Sequence, residues 1–125
     1  MSIQSIEIVS IPVSDQAESK RYYSQKLGFQ ELIDAQFDPS SNFRWVQLGP
    51  PDGGTSISLV NWDPNFQPGS VRELYLSVTD IQGTYDSLSQ RGVSFSDQVM
   101  DTPFGKFAHF QDPDGNGWVL HEPTS

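Results

Sequence analysis

The sequence predicts an α+β fold made of two tandem βαβββ modules, on three observations. A strand-to-helix passage occurs twice, with Ile11-Pro12-Val13-Ser14-Asp15 returning 65 residues later as Leu76-Ser77-Val78-Thr79-Asp80. The helix ends match as well, since Ser24-Gln25-Lys26 ahead of Gly28 returns as Ser89-Gln90-Arg91 ahead of Gly92. Three strand-like segments follow each helix: 29–36, 43–48 and 55–61 in the first half, then 93–99, 106–111 and 117–122 in the second.

Each element has its own warrant. Over 3–13, Val9, Ile11 and Val13 alternate with Ile8, Ser10 and Pro12, the period of a strand with one buried face. Asp15 with Glu18 three residues on reads as a helix N-cap, and Lys26, Leu27 and Gly28 supply the closing cation and left-handed stop. The polar stretch 61–70, with Pro64, Pro68 and Gly69, is the hinge between a first module at 1–62 and a second at 70–125. In the second module Leu74, Leu76 and Val78 repeat the buried face, Thr79 or Asp80 caps the helix, and Ile81, Tyr85 and Leu88 share one helical side. Gly83 sits inside that helix at a cost of about 1 kcal/mol relative to alanine. With one helix to cover four strands, neither module is expected to be stable alone, so the 125 residues form a single domain.

Composition narrows the function. Seven Lys and Arg against sixteen Asp and Glu give a formal charge of −9, which repels nucleic acid backbones and anionic membrane surfaces alike. The charge instead favours a cationic small molecule. Absence of cysteine excludes disulfides, thiolate catalysis and zinc-thiolate sites. No apolar run approaches the roughly 20 residues that span a bilayer, and no leader-like segment opens the chain, so a cytoplasmic protein is expected. Eight Phe, four Tyr and three Trp place much of the apolar surface in rings suited to a ligand pocket.

Ile11 to Asp15 leading into Tyr22-Tyr23 and Leu27-Gly28-Phe29, Val78-Thr79-Asp80 leading to Arg91-Gly92-Val93, and the run from Phe110 to Trp118 occur in order across the chain. In this the sequence resembles the vicinal oxygen chelate superfamily, which contains glyoxalases, bleomycin resistance proteins and extradiol dioxygenases. The resemblance implies that the two modules curl eight strands into a cup, with helices on the outer face, the ligand site inside, and a homodimer as the assembly.

The resemblance also locates where a catalytic metal would sit. Metal-dependent members take one ligand from the first and one from the last strand of each module, typically two His or Gln and two Glu. Those places fall here on Ile8, Glu73 and Val119, and on Ser58 if Leu59 aligns with Leu120, or Ile57 if Pro51-Asp52-Gly53 aligns with Pro113-Asp114-Gly115. Ile and Val offer no lone pair, and one carboxylate does not make a site, so no metal and no cofactor is expected. Asp112-Pro113-Asp114-Gly115-Asn116-Gly117 matches the opening of a calcium loop, but its twelfth place is Pro123 rather than a bidentate Glu. It reads as a turn.

Strand parity places Ile6, Ile8, Ser10, Glu73, Tyr75, Ser77, Gly117, Val119 and His121 on the face turned from the helices. A carboxylate on such a face suits general-base work or gripping a cation, which makes Glu73, with His121, the catalytic candidate. Ile8, Ser10, Trp45, Ser58, Trp62, Tyr75, His109 and Val119 are the candidate ligand contacts, the rings for stacking and the histidine for hydrogen bonding. Trp118 and Phe110 are assigned to packing. The function expected is metal-independent binding, and possible sequestration, of a small cationic or aromatic compound. The alternatives are a metal-independent lyase or isomerase with Glu73 as base, and a metal-dependent glyoxalase-like lyase with displaced ligands.

Overall fold

The computed structural model describes residues 2–124. The chain divides into two compact units with the boundary at Pro68/Gly69, and each unit holds one four-stranded sheet and one helical segment.

In the first unit, β1 (Ile8–Pro12) pairs in parallel with β4 (Ser56–Val60), and β3 (Trp45–Gly49) and β2 (Gln30–Ala35) continue the sheet in antiparallel fashion. The helix α1 (Gln16–Arg21) runs directly into a π turn (Tyr22–Lys26), in which Leu27 N donates to Tyr22 O at 3.4 Å. Asp15 caps it as its position predicts, its Oδ1 accepting from Glu18 N at 3.1 Å. Ile11, Val46, Leu48, Ile57, Leu59 and Tyr23 are buried together, which sets the covered face of the sheet. Gln16 fastens the helix to it, donating through Nε2 to the carbonyls of Leu59 (2.8 Å) and Arg44 (2.9 Å).

On this unit Asp34 bridges Lys20 and Arg44, with Lys20 also paired to Glu31. Burial works against the charged carboxylate, but hydrogen bonds from Lys20 and Arg44 outweigh it and hold the Asp34 carboxyl below the ordinary aspartate range. A carboxyl lowered in the folded state adds stability that is present above about pH 4 and is lost as pH falls through the folded value. Asp34→Asn is therefore expected to cost about 1 kcal/mol at pH 7, the half-exposed Arg44 being screened, and nothing once the Asp34 carboxyl is protonated in the folded and unfolded states alike. Urea melts of both proteins at pH 7 and pH 2.5 check this, and an equal stability gap at the two pH values would contradict it.

In the second unit, β5 (Leu74–Ser77) pairs in parallel with β8 (Gly117–Glu122), followed by antiparallel β7 (Gly105–Gln111) and β6 (Met100–Thr102). The helix α2 (Ile81–Gln90) buries Ile81 and Leu88, on the side of the sheet that holds Trp118, Leu120, Ala108 and Phe110. Asp80 caps it through Gly83 N at 3.1 Å, and a Cβ on Gly83 would collide with the Asp80 carboxylate. The mid-helix glycine thus makes room for the cap.

The first strand starts at Ile8 rather than at residue 3, and Ile3 and Ile6 ahead of it are exposed. The expected strand at 93–99 is displaced to β6. Val93 N still bonds back to Leu88 O (3.0 Å), which drives Val93 into the core, and only Phe95 forms an isolated bridge, to Phe110. Beyond Ser96, whose N–H donates to His109 O at 2.8 Å, the side chain of Asp97 accepts from His109 N in place of a backbone carbonyl.

Residues 112–116 form the expected turn, closed by Gly115 N to Asp112 O at 3.0 Å. The Asp112 carboxylate is buried and accepts from Asp114 N, Asn116 N and Asn116 Nδ2, all at 2.9 Å. The preceding segment is clipped to this turn: Arg72 Nη1 donates to the carbonyls of Gly69, Val71 and Gly115, and Val71 N donates to Asn116 Oδ1.

Candidate functional site

The face of each sheet turned from its helix carries a different chemistry. On the first, register aligns Ser10, Ser58 and Gln47 in one row across β1, β4 and β3, with Ile8 and Ser56 in the next. A hydrogen-bond chain runs along it, from Trp45 Nε1 to Gln47 Oε1 (3.0 Å), from Gln47 Nε2 to Ser56 Oγ (2.8 Å), and from Ser56 Oγ to Glu7 O (3.1 Å). Ser58, fully buried in the middle, is the exception: its hydroxyl has no hydrogen-bond partner. An unsatisfied buried hydroxyl costs about 1–3 kcal/mol and marks a place where a polar group is wanted. Trp45 ends the ladder, 6.0 Å from the ring of Trp62, which in turn lies 4.6 Å from Phe43.

The face of the second sheet is aromatic. Tyr75, Val119 and His109 form one row across β5, β8 and β7, and Ser77, His121, Phe107 and Met100 form the next. His121 stacks on Phe107 with ring centres 4.5 Å apart and planes within 9°, and Tyr75 meets both edge-on at 6.3 and 6.5 Å. Tyr75 is 56% exposed and Met100 45%, so the rings form an open wall. His121 Nε2 is engaged with Phe104 O at 3.2 Å. His109 Nδ1 lies 2.7 Å from Asp97 Oδ2. A cleft of about 760 Å3 lies beyond this wall at the strand ends, between Thr79, Asp101, Lys106 and Glu122. Its lining mixes Val78 and Pro123 with polar side chains, and it shares Ser77 with the face.

Of the ten residues expected at the site, Ile8, Ser10, Ser58 and Trp45, with Trp62 beside them, gather on the first unit. Tyr75, His109, Val119 and His121 gather on the second. Val119 is 2% exposed, a floor beneath the rings more than a contact surface. Glu73 is a correction: β5 begins one residue later, so strand parity does not reach it. Its backbone takes φ 59°, a left-handed conformation unusual outside glycine, and its residue is exposed rather than partly desolvated on the face. No hydrogen bond or ion pair joins it to His121. Sequence reasoning missed Phe107, Met100 and Asp97. Phe107 was legible, since it shares parity with His109 on β7.

The register also fixes the metal-ligand positions. Ser10 and Tyr75 are equivalent in the repeat, and they pair with Ser58 and Val119 respectively. The fourth position is therefore Ser58, not Ile57. Ile8, Ser58, Glu73 and Val119 offer one carboxylate and one hydroxyl, which does not fit a family-type divalent metal. Among the described residues no three His, Asp or Glu side chains gather closely enough to hold a metal ion.

Residues 5–120 match the sequence profile of the Glyoxalase/Bleomycin resistance protein/Dioxygenase superfamily. The chain belongs to this superfamily. Among solved structures it is similar to TnmS3, an antibiotic binding protein from Streptomyces sp. CB03234, with 40% identity, 99% of each chain covered and a TM-score of 0.89. It is also similar to a superfamily member from Sphaerobacter thermophilus DSM 20745, with 32% identity, 96% and 98% of the chains covered and a TM-score of 0.86. An uncharacterized protein of Bacillus subtilis (strain 168), YurT, is 32% identical over 124 residues, which cover 89% of this chain and 93% of that one. No helix among the described residues is long and apolar enough to cross a membrane.

Proposed function

We propose that this superfamily member binds a small cationic or aromatic organic molecule without a metal ion and sequesters it unchanged, as a cytoplasmic homodimer. The observations that carry the reading are the ligand positions themselves, Ile8, Ser58, Glu73 and Val119, which offer one carboxylate and one hydroxyl, and the exposed wall of Tyr75, Phe107 and His121 on the second unit. Ring stacking and cation–π attraction recognise flat, electron-poor or positively charged molecules, and the acidic surface draws cations toward it. The likeness to an antibiotic binding protein across the full chain is consistent with this chemistry.

A metal-independent lyase or isomerase is the second reading, favoured by the left-handed backbone of Glu73, since unusual conformations collect at working sites. Titration with proflavine, a planar aromatic cation, followed by tryptophan quenching and native mass spectrometry, separates the possibilities. Binding is expected to survive excess EDTA, the recovered probe to be unchanged in mass after long incubation, and Tyr75→Ala to weaken binding by about tenfold. Binding abolished by EDTA would overturn metal independence, and a chemically altered probe would favour the enzyme. The same spectra report the dimer.

A further inference from the structure

The Asp97–His109 pair has a form that a packing role does not require. Asp97 grips residue 109 twice, its Oδ1 accepting from the backbone N–H at 2.8 Å and its Oδ2 meeting the ring Nδ1 at 2.7 Å. The first contact fixes where the strand runs past Asp97, and the second fixes the ring. A carboxylate accepts only, so Nδ1 carries a proton, and a neutral imidazole held in this way is in the tautomer whose Nε2 has a free lone pair. Nε2 has no partner among the described residues, and the His109 side chain is 42% exposed.

Strand parity decides where this acceptor stands. Ala108 and Phe110 on either side are buried, so His109 shares the opposite face with Phe107. Register places it in one row with Tyr75 and Val119, next to the row that holds His121. His121 differs in that its Nε2 is already occupied by Phe104 O. The aromatic wall thus has one oriented acceptor at its border. An acceptor fixed beside a stacking surface selects flat ligands that carry a donor at their rim, because a ligand lacking it leaves the imidazole unpaired.

We propose that His109, tautomerically fixed by Asp97, is the specificity-determining residue of this face and accepts a hydrogen bond through Nε2 from a hydroxyl or N–H on a planar aromatic ligand. This rests on the stacking role proposed above for Tyr75 and Phe107. Two matched probes separate the claims: 2-naphthol, which has a rim hydroxyl, and 2-methoxynaphthalene, in which that proton is replaced by methyl. The full-length protein is expected to bind 2-naphthol roughly tenfold more tightly. His109→Phe should bind both probes equally, and Asp97→Asn should lose most of the preference. Because the chain has two histidines, the imidazole 15N spectrum holds only two ring systems, and Nε2 of His109 should shift with 2-naphthol but not with the ether. Equal affinity of the wild-type protein for both probes, with no Nε2 shift, would overturn the role of His109 and leave the stacking face intact. If neither probe bound, or if Tyr75→Ala bound both as well as wild type, the stacking face would fall and this proposal with it.

Discussion

Asp112→Ala is expected to lower the melting temperature by about 10 °C or more, through a loss of about 3 kcal/mol. The buried carboxylate satisfies three donors, two of them on Asn116, which is itself fully buried. Alanine strands them all at once, and Asn116 also receives Val71 N, so the loss spreads to the strand entry at 69–72. Asp112→Asn keeps one acceptor oxygen and should fall between the two. Thermal melts of the three full-length proteins check the order, and a shift under about 2 °C for the alanine variant would show the turn to be held by other means.

Gly105→Ala should be comparably damaging, costing about 3 kcal/mol and disordering the aromatic wall. Gly105 has φ 123°, and an added Cβ would stand 2.5 Å from Glu122 O and 2.7 Å from His121 Nε2. The methyl group must displace either the β7–β8 pairing or the imidazole that stacks on Phe107. Gly53→Ala is the control, since it shares a positive φ of 85° but meets nothing within 4 Å, and it should cost only about 1 kcal/mol. Equal losses for the two would mean that backbone strain alone acts at Gly105. If the stack survives the substitution, the His121 ring resonances will stay at their wild-type positions.

The modular plan was legible because it depends on local signals that occur twice. Asp15 and Asp80 cap their helices as their positions predict, and Gly28 and Gly92 close them with positive φ. Most strand bounds followed from apolar alternation. The parity argument failed where a strand's limit is set by something other than its own pattern. Glu73 looks like a strand residue in sequence, but Arg72 is tied to three carbonyls just before it, and the chain turns through a left-handed residue before β5 begins. The segment 93–99 has strand-like residues, yet Asp97 spends its side chain on the backbone of β7 where a ladder would have formed. Asp97 and His109 are 12 residues apart with no motif between them, so their pairing is a product of tertiary structure.

The π turn at Tyr22–Lys26 makes the two copies of the repeat unequal. The closing glycine of the first module, Gly28, lies 13 residues after its capping Asp15, and that of the second, Gly92, lies 12 after Asp80. Both ends are conformationally alike, and Ser24-Gln25-Lys26 stands as far from its cap as Ser89-Gln90-Arg91 does, so the surplus residue is Leu27, whose N–H closes the π turn on Tyr22 O. A wider turn is how a helix absorbs an insertion without rotating the residues on either side. The two modules are thus unequal copies, and their difference in length is visible as a bulge in the backbone.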